Sequence, residues 1–410
     1  MPLYCAIDWA GQSHYAVLQD ATGRILHQGG FPHCSEGIAG WLATIDTLRQ
    51  GQPVALIYEA TKHGLIDVLL EVPWLELIPV NPAKTKMLQR LDGEARGKSD
   101  PRDARLLGDY LREHYEQLRG RFIETDTAHR ELRERVDQEE DLITRATEGR
   151  NRLHAQLRRL CPEWDALVED IDHAVYQRFL LRYAPWDPPG EKALRSFLGT
   201  HNVRGEDAVA RLIRLARQAR ALGTNRRFQE LLLDQIRSEV RLLAAIFREL
   251  AAVEAGIQTL LAALPHAPIY RSMPGIGPKL AARLAAFFGS QPHRRFPSKP
   301  QVLAYAGQTP LTKQSGASKS VHKRVGCARH ARHICFLWAR SCQVLKATRW
   351  QREYLTVCKQ RGDSVPTRYR KLGAKMLGIL YRCLCSGQTY DESVFLQHRF
   401  HAPSLPPPSA

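Results

Sequence analysis

The stretch Leu3-Tyr4-Cys5-Ala6-Ile7-Asp8 runs apolar until it closes on a carboxylate, and it decides how the first hundred residues read. An apolar run this short, bounded by turn residues, is the signature of a buried strand. A turn around Gly11 leads to a second strand near Tyr15–Leu18, and Asp20–Gly23 makes a hairpin turn into Ile25–His27. Ser35–Leu48 then places Ile38, Leu42, Ile45 and Leu48 on one side of a helix. Val54–Tyr58 repeats the opening pattern and ends in Glu59. Leu65–Leu70 belongs to the next helix, and Leu75–Val80 is a further strand closed by Asn81–Pro82.

Strands alternating with helices behind an opening hairpin predict an α/β mixed sheet of the ribonuclease-H type. A doubly wound nucleotide-binding sheet is the alternative, but no glycine-rich phosphate loop follows any of these strands. Further on, Lys98-Ser99-Asp100-Pro101-Arg102-Asp103-Ala104 reads as a helix start. Ser99 or Asp100 caps it, Pro101 takes the first helical position, and the helix continues through Leu111. Asp100 and Asp103, three apart, point to one side of that first turn. Asp8, Glu59, Asp100 and Asp103 gathered without a cation would repel one another and take up protons. Two hard divalent ions about 4 Å apart resolve that and assist phosphoryl transfer. Plain roles remain open: Asp100 and Asp103 as favourable charges on a helix N-terminus, Asp8 and Glu59 as solvated turn residues. Asp92, Glu94 and Asp109 are spare acids nearby.

The chain of 410 residues carries a net charge of +17, which points to a polyanionic partner. The excess is concentrated: Leu311–Tyr390 holds seventeen Lys or Arg against Glu353 and Asp363 alone. A solvated basic face is the plain reading, and nucleic acid is the preferred one. Nine scattered cysteines give no disulfide framework, and Cys383-Leu-Cys385 lacks metal-binding partners, so free thiols in a reducing cytoplasm are expected. No leader-like run opens the sequence, and no stretch reaches the roughly 18 apolar residues of a membrane span.

Four segments follow from this reading: an α/β domain over 1–111, a helical arm over 112–264, a mostly helical C-terminal domain over 265–398, and a disordered tail over 399–410. In the arm, Leu132, Val136, Ile143, Ala146, Leu153, Leu157 and Leu160 alternate three and four apart, interrupted by Glu139 and Arg150. That is a coiled-coil pattern, broken at Pro162 and Pro185–Gly190. A second amphipathic stretch runs from Leu212 through Leu260, and an antiparallel hairpin within the chain and an intermolecular coil both fit.

The C-terminal domain opens with Met273-Pro274-Gly275-Ile276-Gly277-Pro278-Lys279, which reads as a helix-hairpin-helix element. Gly275 and Gly277 permit a tight turn, and Lys279 and the following helix start attract a DNA phosphate. An ordinary Gly-Pro turn is the alternative. Then come Tyr305-Ala306-Gly307-Gln308-Thr309-Pro310, Gln314-Ser315-Gly316 and Lys319-Ser320. A serine beside a glycine in a basic loop is placed to hydrogen-bond a phosphate. As a nucleophile it also needs a base or metal. Arg329 and Arg332 lie one turn apart on a following helix and could meet a phosphate backbone together. Trp338, Trp350 and Tyr354 are candidates for stacking on bases, with Trp338 favoured as core.

The blocks Ala6-Ile7-Asp8, Tyr58-Glu59-Ala60 and Lys98–Ala104, with Tyr-x-Gly-x-x-Pro and Ser315-Gly316 later, resemble the DEDD transposases of bacterial insertion sequences, the bridge-RNA-guided recombinases. The resemblance covers roughly residues 3–111 and 268–345. It implies a RuvC-like nuclease domain in which Asp8, Glu59, Asp100 and Asp103 ligate Mg2+, with Mn2+ as a substitute. It implies that Ser315 is the nucleophile that bonds covalently to DNA. Donor and target double-stranded DNA, a guide (bridge) RNA and a homo-oligomeric dimer of dimers come with it, and no membrane. One departure stands out: Val325-Gly326-Cys327-Ala328-Arg329 replaces the family's commoner Gly-Asn string, with Cys327 in place of a polar side chain. Two rivals remain, a metal-dependent Holliday-junction-type endonuclease and a non-catalytic nucleic-acid-binding protein.

Overall fold

A computed structural model describes residues 2–9, 11–59, 65–91, 100–203, 205–316, 318–345 and 348–393, apart from the side chains of Leu91, Ala208 and Lys319. The tail over 399–410 lies outside the described residues, as do Lys98, Ser99, Asp92 and Glu94. The chain divides into two compact units, one of Met1–Thr125 with His293–Arg295 and one holding the remainder from Asp126.

The first unit is a mixed sheet with helices on both faces. Its elements are β1 (Leu3–Asp8), β2 (Ser13–Gln19), β3 (Ile25–Pro32), α1 (Ser35–Arg49), β4 (Val54–Glu59), α2 (Leu65–Leu70), β5 (Leu75–Val80), α3 (Pro82–Leu91) and α4 (Asp100–Leu118). Strand order is β3-β2-β1-β4-β5. β1 pairs antiparallel with β2 and parallel with β4, and β5 continues the parallel half. The Asp20 carboxylate shapes the β2–β3 turn by accepting from the amides of Thr22 and Arg24, and Gly23 takes the left-handed conformation (φ 87°) the turn needs.

Burial on both faces explains why β1 and β4 are apolar without alternation. Leu3, Cys5, Ile7, Val54, Leu56 and Tyr58 face one core with Trp41 and Ile45 of α1 and Leu65 and Leu69 of α2. Tyr4, Ala6, Ala55 and Ile57 face the other core with Leu107 and Leu111 of α4. Gly108 lets α4 come close: a Cβ there would stand 2.7 Å from the Gln19 amide nitrogen and 3.7 Å from the Ala6 methyl. Pro79 sits in β5, an edge strand, where a missing N–H costs least.

The second unit is mostly helical. α5 (Thr127–Leu160) ends where the sequence places its break. A 3-10 turn at Pro162–Asp170, then α6 (Ala174–Arg182), α7 (Glu191–Thr200) and α8 (Glu206–Gln218), precede α9 (Arg226–Ala263). α5 and α9 pack within the chain and run antiparallel. Arg152 forks onto the Glu239 carboxylate at 2.9 and 3.1 Å, while Leu132 and Val136 share a core with Val253, Ile257 and Leu261. Asp126 and Asn225 cap the two long helices. The interruption at Glu139 has a reason: its buried carboxylate accepts from Arg283 at 2.9 and 3.1 Å. Leu212 and Leu215 belong to α8, so the second amphipathic stretch is two helices rather than one.

The rest of the chain holds α10 (Ala267–Ser272), α11 (Pro278–Phe288), α12 (Pro292–Arg295, whose last three residues group with the first unit), α13 (Lys299–Tyr305), the hairpin β6 (Leu311–Ser315) and β7 (Ser318–His322), α14 (Arg329–Val344), α15 (Arg349–Gln360) and α16 (Val365–Ser386). Its core includes Phe287, Phe288, Trp338, Met376 and Leu380. Trp350, a candidate for stacking, is core as well: it is 2% exposed and its indole donates to the Tyr390 hydroxyl at 2.9 Å. Among the described residues no helix is long and apolar enough to cross a membrane.

Candidate active site

Register and pleat decide where the first unit's carboxylates go. Ile7 pairs with Tyr58, which sets Asp8 and Glu59 side by side at the ends of two parallel strands. Side chains alternate along a strand. Tyr4 and Ala6 face α4, so Asp8 does too; Ala55 and Ile57 face α4, so Glu59 follows them. The strand tips are tied together, because the Trp9 indole donates to the Glu59 carbonyl at 3.0 Å and packs edge-on against Tyr58. Burial pushes the Tyr58 phenol, on the opposite face of the sheet, up to about 12, so it stays neutral.

α4 brings Asp103 to that same face. Asp103, Ala104, Leu107, Gly108 and Leu111 are its buried stripe, and α4 packs on β1, β2 and β4. Asp103 is only 5% exposed, and no hydrogen bond or ion pair joins its carboxylate to another described residue. Asp100, one turn earlier, is exposed. An isolated buried carboxylate is costly unless something neutralises it. An all-oxygen set of this kind is the chemistry of a hard divalent cation. Among the described residues, though, no three acids, cysteines or histidines stand close enough to share an ion in this conformation. Topology turns Asp8, Glu59 and Asp103 to one face without closing them into a cage.

The second unit presents Ser315 at the end of β6. Every residue of that strand is exposed, and Gly316 turns the chain with φ 56° and open space around it. Ser315 pairs with Ser318, Lys313 with Ser320, and Leu311 with His322. Those six side chains therefore share one face of the ribbon. The hydroxyl of Ser320 is hydrogen-bonded to His322 Nε2 at 2.9 Å. His322 escaped sequence reasoning; the period-two string Ser318-x-Ser320-x-His322 was the signal available. Lys319 lies on β7, its side chain outside the described residues.

The base of the ribbon is stitched by arginines. Arg332 reaches the Arg324 carbonyl and the Cys327 sulfur, the latter at 2.6 Å, while Arg324 donates to the Thr309 carbonyl at 3.1 Å. Arg370 donates to the Gln308 carbonyl at 2.9 Å. Gly307 (φ 64°) is compulsory there, since a Cβ would stand 2.7 Å from the Arg332 guanidinium. Arg332 thus faces inward, and Arg329 is exposed. The departure at Cys327 is a contact within this stitch.

The glycine turn before α11 is a packing device as well. Gly275 (φ 76°) lies against α14, where a Cβ would come within 2.4 Å of the Cys342 sulfur, and the Trp338 indole donates to the Pro274 carbonyl at 2.9 Å. Gly277 caps α11, and Lys279 is engaged by Glu254 of α9.

Two family models match the chain. One, for DEDD transposases of the IS110 type and described as a transposase, covers residues 5–162; the other, described as the transposase IS116/IS110/IS902 family, covers 267–356. A Streptomyces coelicolor protein named for a mini-circle transposase of IS117 is 25% identical over 96% of each chain. The 43.6 kDa protein of insertion element IS110 from Streptomyces coelicolor is 28% identical over 73% of each. The 44.8 kDa protein of insertion element IS116 from Streptomyces clavuligerus is 26% identical over 83% of this chain and 84% of its own. The first model takes in Asp8, Glu59, Asp100 and Asp103, and the second takes in the glycine turn and Ser315. With a mixed α/β sheet followed by a mostly helical remainder, this chain belongs to the IS110 family of DEDD transposases, enzymes that process DNA.

Proposed function

We propose that this transposase is an RNA-guided recombinase of its insertion element, exchanging donor and target DNA strands through a covalent serine–phosphate intermediate. Ser315 Oγ attacks the scissile phosphorus. The Oγ–P bond forms, a phosphate–deoxyribose ester bond breaks, and the leaving oxygen takes up the proton. Attack by the incoming strand's hydroxyl reverses these bonds on a new partner. Asp8, Glu59, Asp100 and Asp103 would hold Mg2+, or Mn2+ in its place. Such an ion stabilises charge on the transferring phosphate when bound.

The observation that supports this most is the common orientation of Asp8, Glu59 and Asp103, with Asp103 buried and unpaired among the described residues. A helix cap or a solvated turn needs no such burial. The β3-β2-β1-β4-β5 order fits the RuvC-like reading of the nuclease domain. The exposed ribbon supports Ser315 as the group that goes to the phosphate, with Lys319 and Arg329 beside the DNA and Arg332 holding the ribbon's base. α10, the Gly275–Gly277 turn and α11 would serve as a helix-hairpin-helix contact, with Lys279 released from Glu254 to meet a phosphate. The domains under this reading are 1–111, the coiled-coil arm 112–264 and the catalytic 265–398. Guide RNA and a dimer of dimers complete the assembly.

The test uses full-length protein, its co-purified RNA and DNA carrying the element's ends. A protein–DNA adduct that survives denaturation, disappears in Ser315→Ala and persists in Ser318→Ala is the expected result. Loss of all strand exchange on RNase treatment is expected with it. Metal-dependent cleavage with no adduct would make Ser315 a phosphate binder and the enzyme a junction endonuclease.

A further inference from the structure

The helical bundle at the far end of the α5–α9 pair has a core of its own, and its surface arginines fall into two groups. Several are neutralised by acids. Arg158 meets Asp165 at 2.8 Å, Arg195 meets Glu191 at 3.1 Å and Arg150 meets Asp172 at 3.7 Å, while Arg211 and Arg217 hold Asp170 and Glu191. Arg178 and Arg182, one turn apart on α6, have no acidic partner among the described residues. They line an open cleft of about 310 Å³ with Leu181, Phe197 and His201, and no carboxylate lines it.

The hydrogen bonding makes this cleft a field of donors. Arg178 Nη1 lies 2.8 Å from His201 Nδ1, and a guanidinium can only donate. Nδ1 is therefore the acceptor of that bond, which leaves Nε2 as the ring's other hydrogen-bonding atom. Arg182 stacks on Tyr183 and Phe197, 5.4 and 5.9 Å from the ring centroids. Stacking uses the face of the guanidinium and leaves its in-plane N–H groups available. Two arginines and a histidine line one cleft whose lining holds no carboxylate, a setting that suits an oxyanion.

We propose that Arg178, Arg182 and His201 form a second nucleic-acid contact, a clamp for phosphodiester oxygens at the tip of the helical arm. Its position gives it a use. Val136 belongs to the core shared with the C-terminal helices and Leu160 to the arm-tip core, both on α5. At 1.5 Å per residue those positions are about 36 Å apart along the helix, close to the roughly 34–36 Å of one duplex turn. A nucleic acid held at both ends would be fixed in direction as well as in place. This rests on the chain acting on nucleic acid, and not on Ser315 or the carboxylates.

The experiment is salt-dependent binding by full-length protein, read by fluorescence anisotropy on a labelled duplex DNA and, separately, on a labelled hairpin RNA. Arg178→Gln/Arg182→Gln is expected to weaken binding about tenfold near 150 mM salt and to make the log–log salt slope shallower by about 1.8 on duplex. Arg178→Lys/Arg182→Lys restores most of both, which separates charge from folding. A change on duplex alone assigns the clamp to DNA, on hairpin alone to RNA, and either outcome upholds it. Unchanged affinity and slope on both probes, or equal loss in the lysine variant, overturns it.

Discussion

The strand tips of the first unit and the ribbon of the second carry the two halves of the proposed chemistry on contrasting scaffolds. Leu3–Ile7 of β1 is buried residue by residue, whereas all five residues of β6 are exposed. Carboxylates that must sit close against their own repulsion need a frame that does not yield. Each fully buried aliphatic in that frame contributes about 1.5–3 kcal/mol. A nucleophile that must reach a phosphate needs projection instead, and an isolated two-stranded ribbon is marginal without further support. Here the support is at its base, where Arg324, Arg332 and Arg370 bind loop carbonyls. One region is rigid because of what it buries, the other because of where it is tied.

The sharpest way to break this comparison is Asp103→Asn. If the first unit's frame exists to hold a reactive carboxylate, strand exchange falls by at least about a thousandfold, the scale of a lost electrostatic stabiliser. The midpoint of thermal unfolding stays level or rises, because an unpaired buried charge has been removed. Activity retained alongside a fall of several degrees would make Asp103 a structural helix-start residue. Arg332→Ala is the counterpart at the ribbon. It is expected to lower adduct yield about ten- to a hundredfold through a loosened base, leaving the overall fold's circular dichroism intact.

How much of this was readable in advance follows the same division. β1 and β4 were legible because burial on both faces writes a continuous apolar run, and α4 because Asp100-Pro101 marks a helix start. The first strand of the ribbon left no such trace: Leu-Thr-Lys-Gln-Ser has nothing to bury and so no apolar alternation to read. α3 was missed for want of an apolar stripe, with Met87 49% exposed. Glu139 looked like a fault in the arm, since its partner Arg283 lies on α11, too far along the chain for any local pattern to reveal. The site was half legible in the same way. Both strand-tip acids followed from strand ends, but the inward turn of Arg332 and the pairing of Lys279 depend on tertiary neighbours.

Two glycines sharpen the contrast on the energetic side. Gly275→Ala must place a methyl 2.4 Å from the Cys342 sulfur at φ 76°, with the α14 backbone close behind at 3.3 Å. A loss of about 2–4 kcal/mol in denaturant unfolding of the second unit is expected from overpacking and strain together. Gly316→Ala has a similar φ of 56° but meets nothing within 4 Å. Only the left-handed conformation is penalised, by about 1–2 kcal/mol, and that falls on the ribbon turn rather than on the unit. Equal destabilisation by the two would mean that the ribbon is packed like the core.

The smallest effect expected is chemical and reads both scaffolds at once. Burial holds the Cys5 thiol, on the strand that delivers Asp8, up to about 12, so almost none of it is thiolate at neutral pH. Cys327 is only partly covered, at the ribbon's stitched base. Iodoacetamide in native buffer should therefore modify Cys327 well before Cys5, measured by mass spectrometry of peptides over time. Because only a thiolate attacks, raising the pH toward 9 should leave Cys5 unmodified for as long as the sheet stays closed. Adding duplex DNA should slow modification of Cys327 several-fold and leave Cys5 unaltered, since nucleic acid covers the ribbon and the sheet is already sealed. Modification of Cys5 at a rate comparable to Cys327 would mean that β1 opens readily, and a strand that opens cannot hold carboxylates in register.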